Sequence, residues 1–192
     1  EFYTLDISLW LGLVGLVCGV AQHGDDPGEF LQEKLATFQA DYEGLFVKSL
    51  LDQGWAVAVS DYQGLGTPGI HTYMVGPVQG HAVLDAARAA QRLPGTGLST
   101  ASPVGIMGYS QGGSAAGWAA QLEATYAPEL NVKGTVAGGV PGDLGATAEF
   151  LDGSPFVALA LMASLGLDGA YPELDIDSYL NDRGRELVQT SQ

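Results

Sequence analysis

The chain has 192 residues, of which 46% are hydrophobic, and this is enough apolar material for one domain with a sizeable core. Its 22 acidic residues against 7 basic ones give a formal net charge of −15, which disfavours binding to nucleic acid or to an anionic membrane surface. Solubility is the plainer explanation of this acidity.

The first apolar segment runs from Leu9 to Ala21 and has the length of a signal peptide. Residues 1–6 before it are acidic and contain no Lys or Arg, so we expect a buried strand or strand pair rather than a targeting segment. Cys18 is the sole cysteine and cannot form an internal disulfide; we expect it to be a small buried residue. No stretch reaches the roughly 20 apolar residues of a membrane span.

The next elements alternate between helix and strand. Apolar residues three and four positions apart predict a helix over Glu29–Gln53, with a break near Gly44. Trp55–Ser60 has the continuous apolar character of a buried strand, and Asp61–Gly69 follows it as a loop with three glycines and a proline. A second helix is predicted over Val78–Leu93.

The most informative motif is Gly-Tyr-Ser-Gln-Gly, centred on Ser110, between a predicted strand at Val104–Met107 and a predicted helix at Ser114–Leu122. A serine on a tight strand-to-helix turn, with a glycine two positions away on each side, is typical of the nucleophile elbow of α/β-hydrolases. Side chains in place of Gly108 and Gly112 would clash in such a turn. The plainer alternative is that Ser110 caps the helix by accepting a backbone N–H.

A further strand is predicted over Val132–Gly138, so strands alternate with helices through the first part of the chain. This order predicts a parallel sheet with helices on its faces, which binds ligands at the C-terminal ends of its strands. Asp61, Ser110 and the segment Gly138–Asp143 all lie at such ends, so we expect them to converge on one crevice.

Beyond Asp143 the pattern changes to three predicted helices, Leu144–Leu151, Pro155–Leu165 and Leu174–Val188, with no strand between them. We therefore divide the chain into the N-terminal part of an α/β core at residues 1–142 and the beginning of a helical cap, or lid, at residues 143–192. More core helix is the alternative interpretation of the second segment.

Several separate segments resemble the secretory lipase family, and they occur in that family's order. They are Trp55–Gly69, Gly80–Ala90, Gly108–Gly113, Ala137–Pro141 and Tyr171–Asp175. The resemblance implies an α/β-hydrolase fold, with a mostly parallel sheet, flanking helices and a helical cap. It also implies a secreted enzyme that hydrolyses acylglycerols and other carboxylic esters with neither a cofactor nor a metal.

The resemblance also assigns roles to three residues. Ser110 would be the nucleophile, and Gln111 would donate its backbone N–H to the oxyanion. Asp61 would supply the second oxyanion donor. An ionised Asp61 side chain would repel an oxyanion, so its backbone N–H or a protonated carboxyl is the expected donor. A loop-starting carboxylate that binds nearby backbone N–H groups is the alternative role of Asp61.

The general base and the triad acid are not assigned, because in the resembled family both lie beyond the cap. No histidine follows Ser110 in this sequence, and His23, His71 and His81 all precede it. His71, in the loop after Asp61, is the best candidate base of the three, whereas His81 is expected to be structural. We expect the catalytic Asp and His to lie in a missing C-terminal segment or on a second chain.

Two functions from different classes follow from these observations. The first is a serine lipase or esterase that forms an acyl-enzyme with an ester or lipid substrate. The second is a non-catalytic hydrolase-fold chain that at most binds acyl ligands, which the absence of a histidine after Ser110 favours. A peptidase or acyltransferase on the same fold is a weaker third option, because the elbow alone does not set the leaving group.

Overall fold

A computed structural model describes residues 15–20, 42–65 and 68–190 of the chain. Within these residues there are four strands, six α-helices and two short 3-10 turns. The strands are β1 (Gly15–Val20), β2 (Trp55–Val59), β3 (Pro103–Tyr109) and β4 (Asn131–Gly138). The helices are α1 (Tyr42–Leu51), α2 (Gly76–Arg92), α3 (Gln111–Tyr126), α4 (Leu144–Leu151), α5 (Val157–Ala170) and α6 (Asp182–Thr190).

The four strands form one sheet in the order β2-β1-β3-β4. β3 and β4 pair in parallel, while β1 pairs antiparallel with both β2 and β3. β2, β3 and β4 therefore point in one direction and β1 points in the other. The predicted α/β class, with a mostly parallel sheet and flanking helices, is confirmed, and β1 is the one antiparallel strand among those described.

The main core lies between the sheet and the helix pair α2–α3. Val83 and Leu84 of α2 are fully buried, and Ile106 of β3 is 1% exposed. The two helices approach closely because α2 carries glycines on the facing side. A Cβ added at Gly76 would overlap the indole ring of Trp118, and one added at Gly80 would lie 2.9 Å from backbone atoms at residues 118 and 119.

The elements around the elbow are longer than predicted. The strand extends to Pro103–Tyr109, and the helix begins at Gln111 rather than at Ser114. Its first turn contains two glycines, which lower helix propensity, but tertiary packing overrides that penalty. The described part of the first predicted helix, α1, continues through Gly44 without the expected break, and the part before residue 42 lies outside the described residues. Of the first apolar segment, residues 15–20 form the expected strand.

The segment after Asp143 is helical, as predicted, although two helix boundaries differ. α5 continues past Leu165 to Ala170. The single helix predicted over residues 174–188 is wrong: two 3-10 turns, Pro172–Leu174 and Ile176–Tyr179, precede α6. The Asp168 carboxylate accepts the Ile176 N–H at 2.9 Å, and this bond holds the chain in a turn there. None of the helices in the described ranges is long and apolar enough to cross a bilayer.

Candidate active site

The C-terminal ends of β2, β3 and β4 lie at the same edge of the sheet because the three strands run in one direction. Asp61 follows β2 by two residues, Ser110 follows β3 directly, and Gly139 follows β4. β1 separates β2 from β3, so the first two sites are about 10 Å apart across the sheet, twice the usual strand spacing. The loop after β2 must therefore reach sideways to approach Ser110.

Ser110 occupies a sharp bend between β3 and α3. Its backbone has φ 53° and ψ −110°, a conformation that residues with side chains rarely adopt. Its N–H donates to the carbonyl oxygen of Gly138 at 2.8 Å, and its own carbonyl accepts the N–H of Ser114 at 2.9 Å. The Ser110 side chain makes no capping hydrogen bond, so its hydroxyl does not have the alternative role of a helix cap.

Glycines on both sides of Ser110 allow this bend. A Cβ added at Gly108 would overlap the backbone of Gly112, as expected for an elbow. A Cβ added at Gly113 would overlap the carbonyl oxygen of Gly138, the group that accepts the Ser110 N–H. Sequence reasoning missed this role of Gly113, although a third glycine directly after the motif was a readable signal.

Tyr109, directly before Ser110, lies against the end of β4. Its side chain is 64% exposed, and Gly139, with φ +55°, turns the chain away beneath it. A Cβ at Gly139 would come within 2.9 Å of the Tyr109 ring. The glycine pair at the end of β4 therefore lets the ring of Tyr109 pack against the backbone there.

The two predicted oxyanion donors follow different strands, Gln111 directly after Ser110 and Asp61 after β2. Gln111 is the first residue of α3, so its N–H has no partner within the helix and belongs to the helix N-terminus. Asp61 is exposed, while the next residue, Tyr62, has φ 59° and packs into the core. The hydroxyl of Ser60 accepts the Tyr62 N–H at 3.1 Å and helps to fix the start of this loop.

The structure places two of the three histidines. The His71 ring carries its Nδ1 at 2.8 Å from the Gln63 carbonyl oxygen and its Nε2 at 3.5 Å from the side-chain amide nitrogen of Gln111. His81 contacts the Tyr126 ring, with 4.1 Å between centroids, at the end of α3 opposite the elbow. This packing against an aromatic ring fits the structural role expected for His81, and His23 lies outside the described residues.

Three buried polar groups lie close in sequence to the Asp61 loop. Burial raises the pKa of the Tyr73 phenol above its ordinary value. The Thr72 hydroxyl and both amide atoms of Gln79 have no hydrogen-bond partner within the described ranges. In the same ranges, no three His, Cys, Asp or Glu side chains are grouped so that they could hold a metal ion.

Comparisons with known proteins agree on one family. The sequence profile of the secretory lipase family matches residues 30–192. A probable inactive lipase of Mycobacterium tuberculosis is 40% identical over 149 residues, which are 77% of this chain and 32% of that protein. A secreted triacylglycerol lipase of Malassezia furfur is 37% identical over 151 residues, which are 78% of this chain and 31% of that protein.

Among solved structures, the closed state of Candida antarctica lipase A matches with a TM-score of 0.65 and 33% identity, over 76% of this chain and 33% of that chain. The chain thus spans about a third of the length of the relatives it matches. The structural match agrees with the sheet and flanking helices described above. The chain belongs to the secretory lipase family and has an α/β-hydrolase fold.

Proposed function

We propose that this chain carries the nucleophile of a secreted lipase or esterase, and that Ser110 attacks the carbonyl carbon of a carboxylic ester. The observation that carries the proposal is the backbone of Ser110, which is held at φ 53° between a strand and a helix while its hydroxyl makes no capping bond. Such a bend presents a hydroxyl at the C-terminal edge of the sheet, where ligands of this class of fold bind.

The chemistry proceeds through an acyl-enzyme. The Ser110 oxygen adds to the carbonyl carbon while a base takes its proton, and the carbonyl oxygen becomes an oxyanion. The backbone N–H groups of Gln111 and Asp61 are the proposed donors to that oxyanion, each worth about 3–4 kcal/mol in the transition state. Collapse of the intermediate expels the alcohol and leaves the acyl group on Ser110, and water then releases the acid.

The proposed general base and triad acid come from polypeptide other than these 192 residues, either a C-terminal segment or a second chain. Of the described histidines, His71 is the one that contacts the elbow, through the side chain of Gln111. Its Nδ1 is already bonded to the Gln63 carbonyl and its Nε2 faces the Gln111 amide, so neither nitrogen is oriented by these contacts toward Ser110. We also propose that residues 143–192 begin a cap over the crevice.

A second candidate is a hydrolase-fold protein that does not turn over. One observation favours it: the contacts of His71 orient neither of its ring nitrogens toward Ser110. One relative is named a probable inactive lipase, which is consistent with loss of turnover within this family. A chain of this kind would still present Ser110 and bind acyl ligands.

Two measurements on the same protein test both candidates. The first is covalent labelling of Ser110 by a fluorophosphonate, located by mass spectrometry of the intact and digested protein. The second is steady-state hydrolysis of a short-chain chromogenic ester. Ser110→Ala is the test variant and Ser114→Ala, one helical turn further along, is the matched control.

Labelling and hydrolysis that Ser110→Ala abolishes and Ser114→Ala retains would support the esterase. A folded protein that neither reacts with the fluorophosphonate nor hydrolyses the ester would support the second candidate, since a serine without a base is a poor nucleophile. Labelling or hydrolysis that Ser110→Ala retains would rule out Ser110 as the nucleophile.

A further inference from the structure

The loop between β2 and α2 is fixed by the His71 ring. A carbonyl oxygen can only accept, so the 2.8 Å contact with Gln63 means that Nδ1 carries the ring proton. In the neutral ring Nε2 is then an acceptor, and it faces the amide NH₂ of Gln111. At 3.5 Å this hydrogen bond is long and correspondingly weak.

Two tyrosines hold that ring in place. The Tyr62 ring stacks near His71 with 6.4 Å between centroids, and the Tyr73 ring lies at 6.0 Å on a tilted plane. Both tyrosines are buried, so they constrain the imidazole rather than follow it. Gly64 brings the two arms of the loop together, since a Cβ there would lie 2.5 Å from the His71 backbone.

Helix α5 packs on the outer arm of the same loop. A Cβ added at Gly166 would overlap the Tyr73 backbone, so the helix and the loop are in direct backbone contact there. A Cβ added at Gly169, on the same helix face, would lie 3.1 Å from Ile70. α5 thus packs directly against residues on both sides of His71.

We propose that His71 is a positioning residue for the oxyanion hole, which links the Asp61 loop to Gln111 beside the nucleophile, and that α5 holds this link in place through Gly166 and Gly169. The proposal rests on the proposed function of Ser110. It answers a geometric need: Asp61 and Gln111 follow strands that β1 separates, yet an oxyanion hole requires both N–H groups to point at one oxygen.

The proposal makes a different prediction from the role of His71 as general base. A base acts alone on the Ser110 hydroxyl, so its loss should be severe and the side chain of Gln111 should matter little. A positioning pair acts as one unit, so loss of either partner should cause a similar defect and loss of both should add nothing.

The test is a double-mutant cycle with His71→Phe and Gln111→Leu, which keeps the backbone N–H of Gln111. The second-order rate constant for phosphonylation of Ser110 by a fluorophosphonate is the readout, because the phosphonyl oxygen occupies the oxyanion hole. We expect each single variant to slow the reaction by about 10- to 100-fold, and the double variant to be no slower. His71→Gln, which keeps an acceptor near Nε2, should recover part of the rate.

Additive defects, or a large loss in His71→Phe alone, would overturn the proposal in favour of a base. Unchanged rates in both single variants would overturn it in favour of a packing role. If the native protein does not react, as expected where the base lies in other polypeptide, the link is tested by nitrogen NMR instead. That spectrum should show the Nδ1-protonated tautomer of His71, with an Nε2 signal that moves in Gln111→Leu; the opposite tautomer would disprove the link.

The contribution of α5 is tested with Gly166→Ala, compared with Gly117→Ala, whose added methyl group meets nothing within 4 Å. We expect the first variant to slow phosphonylation by about 10-fold and the second to leave it unchanged. If Gly166→Ala does not fold, Gly169→Ala replaces it, because there the atoms nearest to the new methyl group belong to the Ile70 side chain and not to the backbone. Equal rates in a folded α5 variant and in the control would show that α5 does not hold the link.

Discussion

Ser110 shows how neighbouring residues sustain a strained backbone. A residue with a side chain in such a conformation costs about 1–3 kcal/mol, and the cost must be offset by its surroundings. Here the Gly138 carbonyl accepts the Ser110 N–H, and Gly108 and Gly113 let the flanking backbone approach closely. Contacts on both sides of Ser110 therefore hold its backbone in the strained conformation.

The first prediction concerns the elbow glycine before Ser110. Gly108→Ala should lower the free energy of unfolding by about 3 kcal/mol, because the new methyl group would overlap the Gly112 backbone, which cannot yield as a side chain can. Gly117→Ala, on helix α3 and facing open space, should raise it by up to about 1 kcal/mol. Urea unfolding followed by circular dichroism measures both, and equal midpoints for the two variants would contradict the steric argument.

A second prediction concerns the buried amide of Gln79. The side chain is fully buried, and neither of its polar atoms has a hydrogen-bond partner within the described ranges. Since an unmade buried hydrogen bond costs about 1–3 kcal/mol, Gln79→Met should raise the thermal midpoint of unfolding. Gln121→Met, at an exposed site on α3, is the control and should change little. A lower midpoint in Gln79→Met would show that the amide is satisfied, for example by buried water.

At the scale of helices, α2 and α3 are joined by a polar cluster at the end away from the elbow. Arg88 donates to Glu129 and Asp85, at 2.5 and 2.9 Å, and to the Tyr126 carbonyl. The Tyr126 hydroxyl donates to Asp85 at 2.8 Å, and Arg88 also lies over the Tyr126 ring. These groups fix the C-terminal part of α2 against α3, while the close packing of Gly76 and Gly80 fixes its first turns against the middle of α3.

The cluster predicts a pH dependence of stability. The hydrogen bond from Arg88 holds the pKa of the Glu129 carboxyl below its ordinary value of roughly 4.3. A carboxyl whose pKa is lower in the folded state than in the unfolded state stabilises the folded protein at pH values above its unfolded-state pKa. This stabilisation is lost as the pH falls through the folded-state pKa. The urea midpoint should therefore be higher in the native protein than in Glu129→Gln at pH 7, and the difference should shrink as the pH falls below roughly 4.

Glu149→Gln removes one charge from an exposed position on α4 and controls for the change in net charge. A difference between the native protein and Glu129→Gln that persists unchanged at pH 3 would contradict the ion-pair origin of the effect.

Helices and strands were predictable here wherever the signal was local. The elbow could be read because a strand, a serine between glycines and a helix follow each other along the chain. The direction of β1 could not, because an apolar run does not encode its partners. The contact between His71 and Gln111 joins residues 40 positions apart, and the turn at Ile176 depends on a carboxylate eight positions earlier. Such non-local hydrogen bonds leave no periodic pattern to detect.

For the whole molecule, the excess of acidic residues is the dominant electrostatic fact. With 22 acids and 7 bases, at least 15 carboxylates have no basic side chain to balance them. Lys48, Arg88 and Arg185 form the ion pairs found among the described residues. In every pair, at least one side chain is more than 40% exposed. Exposed pairs contribute little, so repulsion between carboxylates should outweigh them.

Sodium chloride should therefore stabilise this protein at pH 7. Raising the salt from about 20 to about 500 mM shortens the screening length from over 20 Å to below 5 Å, which weakens long-range repulsion more than short-range ion pairs. The urea midpoint should rise with salt at pH 7, and the rise should shrink near pH 4, where Asp and Glu begin to protonate. A midpoint that falls with salt at pH 7 would mean that ion pairs such as those of Arg88 outweigh the net charge, and that acidity serves solubility without a cost in stability.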